Sequence, residues 1–171
     1  TPDFQHMVHL RALEPSDVDR LYIWENNPDM WRYGFSPAPL SRHQIWEYVE
    51  KYDANPLAQG QLRLMIDTGN DTVGTLDLYD IDARNGHAFI GIMIAPPYRK
   101  LGYASDALQM AAEYCRNNLR LHQIAATIAA DNNASHALFK KCGFTHTATL
   151  PQWIARPKNL HIDAHIFTLA L

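Results

Sequence analysis

The sequence predicts an α/β fold built on one mixed sheet, and three observations carry that reading. The apolar, β-branched run Ile90–Ile94 stops at Pro96-Pro97 and is followed by a helical pattern with Ala104, Leu108, Ala111, Cys115 and Leu119 on one face. A second strand-then-helix pair follows at Gln123–Ile128 and Asn132–Lys141. Around these two units lie short runs bounded by turn signals, at Leu62–Ile66, Val73–Asp80 and His161–Leu169.

The elements follow in order from local rules. Val8–Leu13 alternates and reads as a first strand. Pro15-Ser16-Asp17 starts a helix, because Ser and Asp oxygens satisfy the exposed first N–H groups. That helix turns Val18, Leu21, Tyr22 and Trp24 or Glu25 inward and ends at Asn26-Asn27-Pro28. Met30–Leu40, rich in aromatics and proline, reads as an ordered loop. Ser41 caps a second helix with Ile45, Trp46, Tyr48 and Val49 as its apolar positions. Asp67–Thr72 and Asn85-Gly86 are hairpin turns. Gly91 in the central strand suggests a bulge. Gly143 closes the Asn132–Lys141 helix, and Phe144–Leu150 and His161–Leu169 are the final strands, so that parallel βαβ units lie at the centre of the sheet.

Composition narrows the function classes. At 171 residues the chain is read as a single domain over 1–171, with 47% hydrophobic and 19% charged residues as in folded soluble proteins. A net charge of −3 and the lack of a basic stripe argue against nucleic acid and anionic membrane as partners. Cys115 and Cys142 have neither disulfide-scaffold nor metal spacing, which fits reduced thiols in a cytoplasmic protein. No segment reaches the length of a membrane helix. The chain opens on Thr1, which implies a trimmed start, with the native one at or before Met7. A monomer or homodimer is expected.

The chemistry concentrates where the central strand meets the following helix. The first N–H groups of a helix lack internal partners and face the positive end of its dipole, and Gly102 lets an anion approach the backbone. The glycine spacing is neither the dinucleotide fingerprint nor a P-loop, so another phosphorylated ligand is indicated; an ordinary strand-to-helix turn would look similar on this segment alone.

Arg99-x-x-Gly102-x-Ala104 resembles the acetyl-CoA pyrophosphate loop of the GNAT N-acetyltransferase superfamily. Asn132-x-x-Ser135-x-x-x-Phe139-x-Lys141-x-Gly143-Phe144, about thirty residues further on, is similar to the Asn-x-x-Ser/Ala-x-x-x-Tyr-x-Lys-x-Gly-Phe block of the same family. The opening Leu10-Arg11-x-Leu13-Glu14 with Trp24-Glu25-Asn26-Asn27 resembles the subgroup of ribosomal-protein N-terminal and polyamine acetyltransferases. The resemblance implies a GNAT fold, acetyl-CoA as donor, a primary amine as acceptor, direct attack on the thioester, and no metal. A metal reading of His161-x-x-x-His165 lacks a third ligand.

By that resemblance, Leu101, Gly102, Tyr103, Ala104 and Ser105 hold the pyrophosphate through their N–H groups, with Arg99 and Lys100 meeting phosphate charge. Ile92, Met93 and Ile94 line the pantetheine arm and supply an oxyanion donor, in a slot opened by splaying of the central strand. Asn132, Ser135, Phe139 and Lys141 complete the cofactor side. Glu25, Trp31, Tyr33, Phe35 and Tyr79 are expected around the acceptor.

Proton handling departs from the family pattern. Phe139 stands where the family has the tyrosine that protonates the leaving thiolate, and Phe89 where many relatives have an acid. Ser135, one helical turn before Phe139, is the first stand-in. Asp77 is a weaker one, as are Tyr103, Tyr79, His122, Glu25 and His161. Acid–base help is worth ~10²- to 10⁴-fold, so transfer without a dedicated acid is a second explanation. A non-catalytic acyl-CoA-binding module is the third. The run Trp31–Pro37 holds few carboxylates, which weakens a polyamine acceptor relative to a peptide N-terminus or small amine metabolite.

Overall fold

A computed structural model describes residues 5–31 and 38–171. By its contacts the chain divides into two compact units, one formed by residues up to Arg11 together with Asn55–Leu171, the other by Ala12–Ala54.

In the larger unit, seven strands among the described residues form one mixed sheet: β1 His9–Arg11, β2 Leu62–Asp67, β3 Thr72–Asp82, β4 His87–Ile94, β5 Gln123–Ala129, β6 Thr145–Arg156 and β7 Leu160–Ala170. Their order is β1-β2-β3-β4-β5-β7-β6. The expected parallel βαβ units reduce to one, since β4 and β5 are the single parallel pair and every other pairing is antiparallel. Their crossover carries a 3-10 turn at Pro96–Tyr98, then the loop 99–102, then α5, Tyr103–Asn117. A second helix, α6 (Asn133–Lys141), follows β5.

The core lies on one face of the sheet. Leu76, Leu78, Ile90, Ile124, Ile128 and Phe167 are buried there with Ala107, Leu108, Ala111 and Cys115 of α5 and Phe139 of α6. Burial pushes the Cys115 thiol up to about 12, so it behaves as a small apolar group. Ala104 and Leu119, expected on the same stripe, are half-buried at its two ends.

Three strand-level expectations change. Gly91 marks no bulge: β3 and β4 pair without a register shift from Gly74↔Ile94 to Tyr79↔Phe89. The tight approach is at Gly74 instead, where a Cβ would lie 2.0 Å from the Met93 carbonyl oxygen. Second, β6 runs six residues beyond Leu150, through Pro151. Proline is tolerated because β6 is an edge strand and its pairing with β7 shifts between Leu150 and Ile154. Third, a short helix α4, Pro56–Gln59, precedes β2, capped by Asn55 Oδ1 on Ala58 N at 3.2 Å and ended by Gly60 at φ 71°.

In the smaller unit, α1 spans Val18–Glu25, α2 Pro28–Trp31 and α3 Arg42–Glu50. The Ser41 cap forms as expected, with Gln44 N donating to Ser41 Oγ at 3.1 Å and Ser41 N to Gln44 Oε1 at 2.8 Å. Only Ile45 and Val49 of α3 are buried; Trp46 and Tyr48 are exposed. Asp17 is fully buried, accepts from Glu14 N at 2.8 Å and pairs with Arg20.

Candidate active site

The site is set by where β4 and β5 part. They pair only at His87↔Gln123, Ala88↔Ile124 and Phe89↔Ala125, although β4 continues to Ile94 and β5 to Ala129. Ala95 N donates to Val73 O at 2.8 Å. Residues bonding to one neighbour alternate along an antiparallel strand. Gly91 and Met93 therefore turn their polar groups to β3, and Ile90, Ile92 and Ile94 turn theirs into the gap before β5. The Met93 carbonyl beside Gly74 fits this, because the Ile94 N–H on the same planar peptide points the opposite way.

The mouth of the slot is the start of α5. Lys100 (φ 63°) and Gly102 (φ 86°) are both left-handed, so the chain turns twice before entering α5. The first helical bond is Asp106 N to Gly102 O at 3.2 Å, so the N–H groups of Tyr103, Ala104 and Ser105 lie ahead of the ladder. Arg99 is exposed and donates from Nε to Ile94 O at 2.9 Å, which folds the loop back over the end of β4. Lys100 and Leu101 are exposed. The Ser105 hydroxyl lies 3.6 Å from Cys142 Sγ and ties the start of α5 to the end of α6.

One carboxylate sits in this first helical turn. Asp106 accepts from Val8 N at 3.0 Å and bonds His6 Nδ1 at 2.5 Å. That hydrogen bond, aided by the charges of Asp106 and Glu113, holds the His6 pKa above its ordinary value against the opposing effect of desolvation. When protonated, His6 offsets a negative charge that would otherwise oppose an anion at the helix start.

On the α6 side, Asn132 caps the helix, its Oδ1 accepting from Ser135 N at 3.2 Å. Ser135 is half-buried beside it and Lys141 is exposed in the last turn. Phe139 is 3% exposed and packs edge-on against Phe144 at 4.9 Å, so its ring belongs to the core.

On the opposite face, Asp77 is not poised as a base. Its two oxygens accept from Arg63 Nε at 2.7 Å and Nη2 at 3.0 Å, a bidentate clamp between β2 and β3. Tyr79 is brought to the fork: its ring stacks on Phe89 at 5.6 Å, and its hydroxyl is hydrogen-bonded to Thr127 of β5. Burial pushes the phenol pKa up, against the Thr127 bond and with the charges of Asp80 and Asp77. Glu25 is half-buried in the Ala12–Ala54 unit; Tyr33, Phe35 and the side chain of Trp31 lie outside the described residues.

Three histidines come together beside α6. His165 joins His136, Nδ1 to Nε2 at 2.8 Å, and stacks on His146 at 4.4 Å. His136 Nδ1 bonds Asn132 O at 2.7 Å. A carbonyl only accepts, so His136 Nδ1 carries a proton in this bond. This chain braces the Asn132 backbone. The spacing of Asn132 and His136 was its only signal. Among the described residues, no group of three or more His, Cys, Asp or Glu is placed to hold a metal, and no helix is long and apolar enough to cross a membrane.

A family model for the acetyltransferase (GNAT) domain matches residues 8–145. The chain belongs to the GNAT acetyltransferase family. This GNAT chain is 26% identical over 140 residues to spermidine N(1)-acetyltransferase of Escherichia coli K12, covering 82% of this chain and 74% of that one. It is 25% identical over 170 residues to the uncharacterized N-acetyltransferase p20 of Bacillus licheniformis, covering 97% and 94%. Its fold matches spermidine N-acetyltransferase from Vibrio cholerae, solved with CoA and spermine, at a TM-score of 0.84 and 22% identity over 96% of this chain and 95% of that one. This GNAT enzyme is therefore an acetyl-CoA-dependent N-acetyltransferase.

Proposed function

We propose that acetyl-CoA lies in the slot between β4 and β5, with its pyrophosphate on the N–H groups of 101–105 and its thioester near the fork. The observation that carries this reading is the end of β4–β5 pairing at Phe89↔Ala125 while both strands continue. The five residues from Gly91 to Ala95, four steps along the chain, span ~13 Å, a length suited to an extended pantetheine arm. Along that path the Ile92 and Ile94 N–H groups turn into the slot. One of them donates to the oxyanion that forms as the amine attacks the carbonyl. Arg99 and Lys100 meet phosphate charge at the mouth, and Asn132, held by its cap and by His136, borders the arm.

The acceptor is a primary amine. Spermidine leads the candidates because curated relatives at 26–27% identity over 82% of the chain carry that activity. Against it stands Asp77, whose charge is answered by Arg63 rather than available to an ammonium group. Peptide N-termini and small amine metabolites therefore stay on the panel. The test is calorimetric titration with acetyl-CoA followed by thiol release with spermidine, N-terminal peptides and small amines. Binding with release for one class supports the reading and names the acceptor. Binding without release for any class would favour a CoA-binding module, and absence of binding would dismiss the slot.

A further inference from the structure

We propose that Tyr79 is the proton donor to the departing sulfur, in place of the phenol that Phe139 lacks. The inference rests on the placement of acetyl-CoA proposed above.

The two faces of the slot differ in chemistry. The α6 face presents the buried ring of Phe139 among apolar side chains, with the half-buried Ser135 one turn earlier. Tyr79 reaches the other face from β3, passing over β4 to β5. The ring passes over Gly91, where an added Cβ would lie 3.9 Å from Tyr79 Cε1, an ordinary contact. Phe89, paired directly with Tyr79, supplies a platform for the ring. The hydroxyl then meets Thr127, two residues beyond the last β4–β5 pair at Ala125. The phenol thus spans the fork where the arm would end. Phe89, an unexpected residue in a family often acidic there, acquires a role as the support for this ring.

The electrostatics suit a donor. Tyr79 is held protonated by burial and by the nearby carboxylates Asp80 and Asp77, the latter countered by Arg63. From β4 and β5 the facing groups are the uncharged Phe89 and Thr127. In the step, the neutral amine forms the C–N bond, the carbonyl becomes an oxyanion, and the C–S bond breaks with its electron pair leaving on sulfur. The Tyr79 O–H passes its proton to that sulfur, giving free CoA thiol. The phenolate recovers a proton lost by the product nitrogen, directly or through the Thr127 hydroxyl, so protons balance over one turnover.

The test uses the full chain with acetyl-CoA and its best amine. Tyr79→Phe keeps the ring, the stack and the fit over Gly91 and removes only the hydroxyl. We expect kcat to fall ~100-fold or more, while Kd for acetyl-CoA stays within about threefold of wild type. Fluorotyrosine placed at position 79 should move the alkaline limb of the kcat profile to lower pH, which a structural role would not do. A kcat in Tyr79→Phe within threefold of wild type, or an alkaline limb unmoved by the fluorine, overturns the assignment. Failure of the underlying placement shows separately, as no binding of acetyl-CoA by the wild-type protein, and overturns both.

Discussion

Replacing Gly74 with alanine tests how the slot is held open. A Cβ there would lie 2.0 Å from Met93 O, 3.0 Å from Met93 C and 3.1 Å from Ile94 Cα, all backbone atoms that no rotamer change can clear. The strands must separate or the Met93–Ile94 peptide must rotate. Overpacking of a rigid core costs ~1–3 kcal/mol, and losing one or two ladder bonds adds about 1 kcal/mol each. A loss of about 2–5 kcal/mol is expected in urea unfolding, with an unchanged slope if the variant stays two-state. Because the Ile94 N–H turns with the Met93 carbonyl, affinity for acetyl-CoA should fall with it. Gly91→Ala is the control on the partner strand, since its Cβ meets only the Tyr79 ring at 3.9 Å, an ordinary contact. Stability within about 0.5 kcal/mol of wild type in Gly74→Ala, the range of an inconsequential surface change, would refute the close-approach argument.

Three further outcomes are expected. Gly102→Asp should abolish acetyl-CoA binding in calorimetry, because it places a carboxylate on a left-handed residue (φ 86°) at the mouth of the anion cradle. The raised His6 pKa makes a stabilising contribution that is complete below the unfolded value near 6.5 and is lost as pH rises through the folded value; His6→Gln should erase that slope in a pH series of unfolding midpoints. Asp17→Ala removes a fully buried carboxylate from Arg20 and from Glu14 N, and should cost about 2–4 kcal/mol in chemical denaturation.

What the sequence made legible was whatever one residue and its near neighbours decide. Ser41, Asn85-Gly86, Gly102 and Asn132 each perform the turn or cap that their chemistry dictates, and the strand-to-helix unit around Gly102 was readable from its Pro, Gly and apolar spacing. Contacts set by register across strands were not readable. The Arg63–Asp77 clamp requires knowing that these two residues face each other, and the His136–His165 pair joins residues 29 apart. Gly74, rather than Gly91, is the tight glycine because the Met93 carbonyl of the neighbouring strand lies against it, a property of the paired strands and not of either alone. The short Pro56–Gln59 helix has all its cap signals but no apolar period to reveal it.

The ends of the sheet have a consequence for how the protein behaves at high concentration. One outer strand, β1, offers only three residues for pairing. The other, β6, is twelve residues long, yet Pro151 lacks a donor, Gln152 is left-handed at φ 49°, and the pairing slips twice along its length. A foreign strand laid against it would meet gaps and a changed direction rather than a continuous row of donors and acceptors. Both margins therefore discourage open-ended strand addition. The sheet can interrupt its pairing between β4 and β5 without also exposing a long straight border on which other chains could stack.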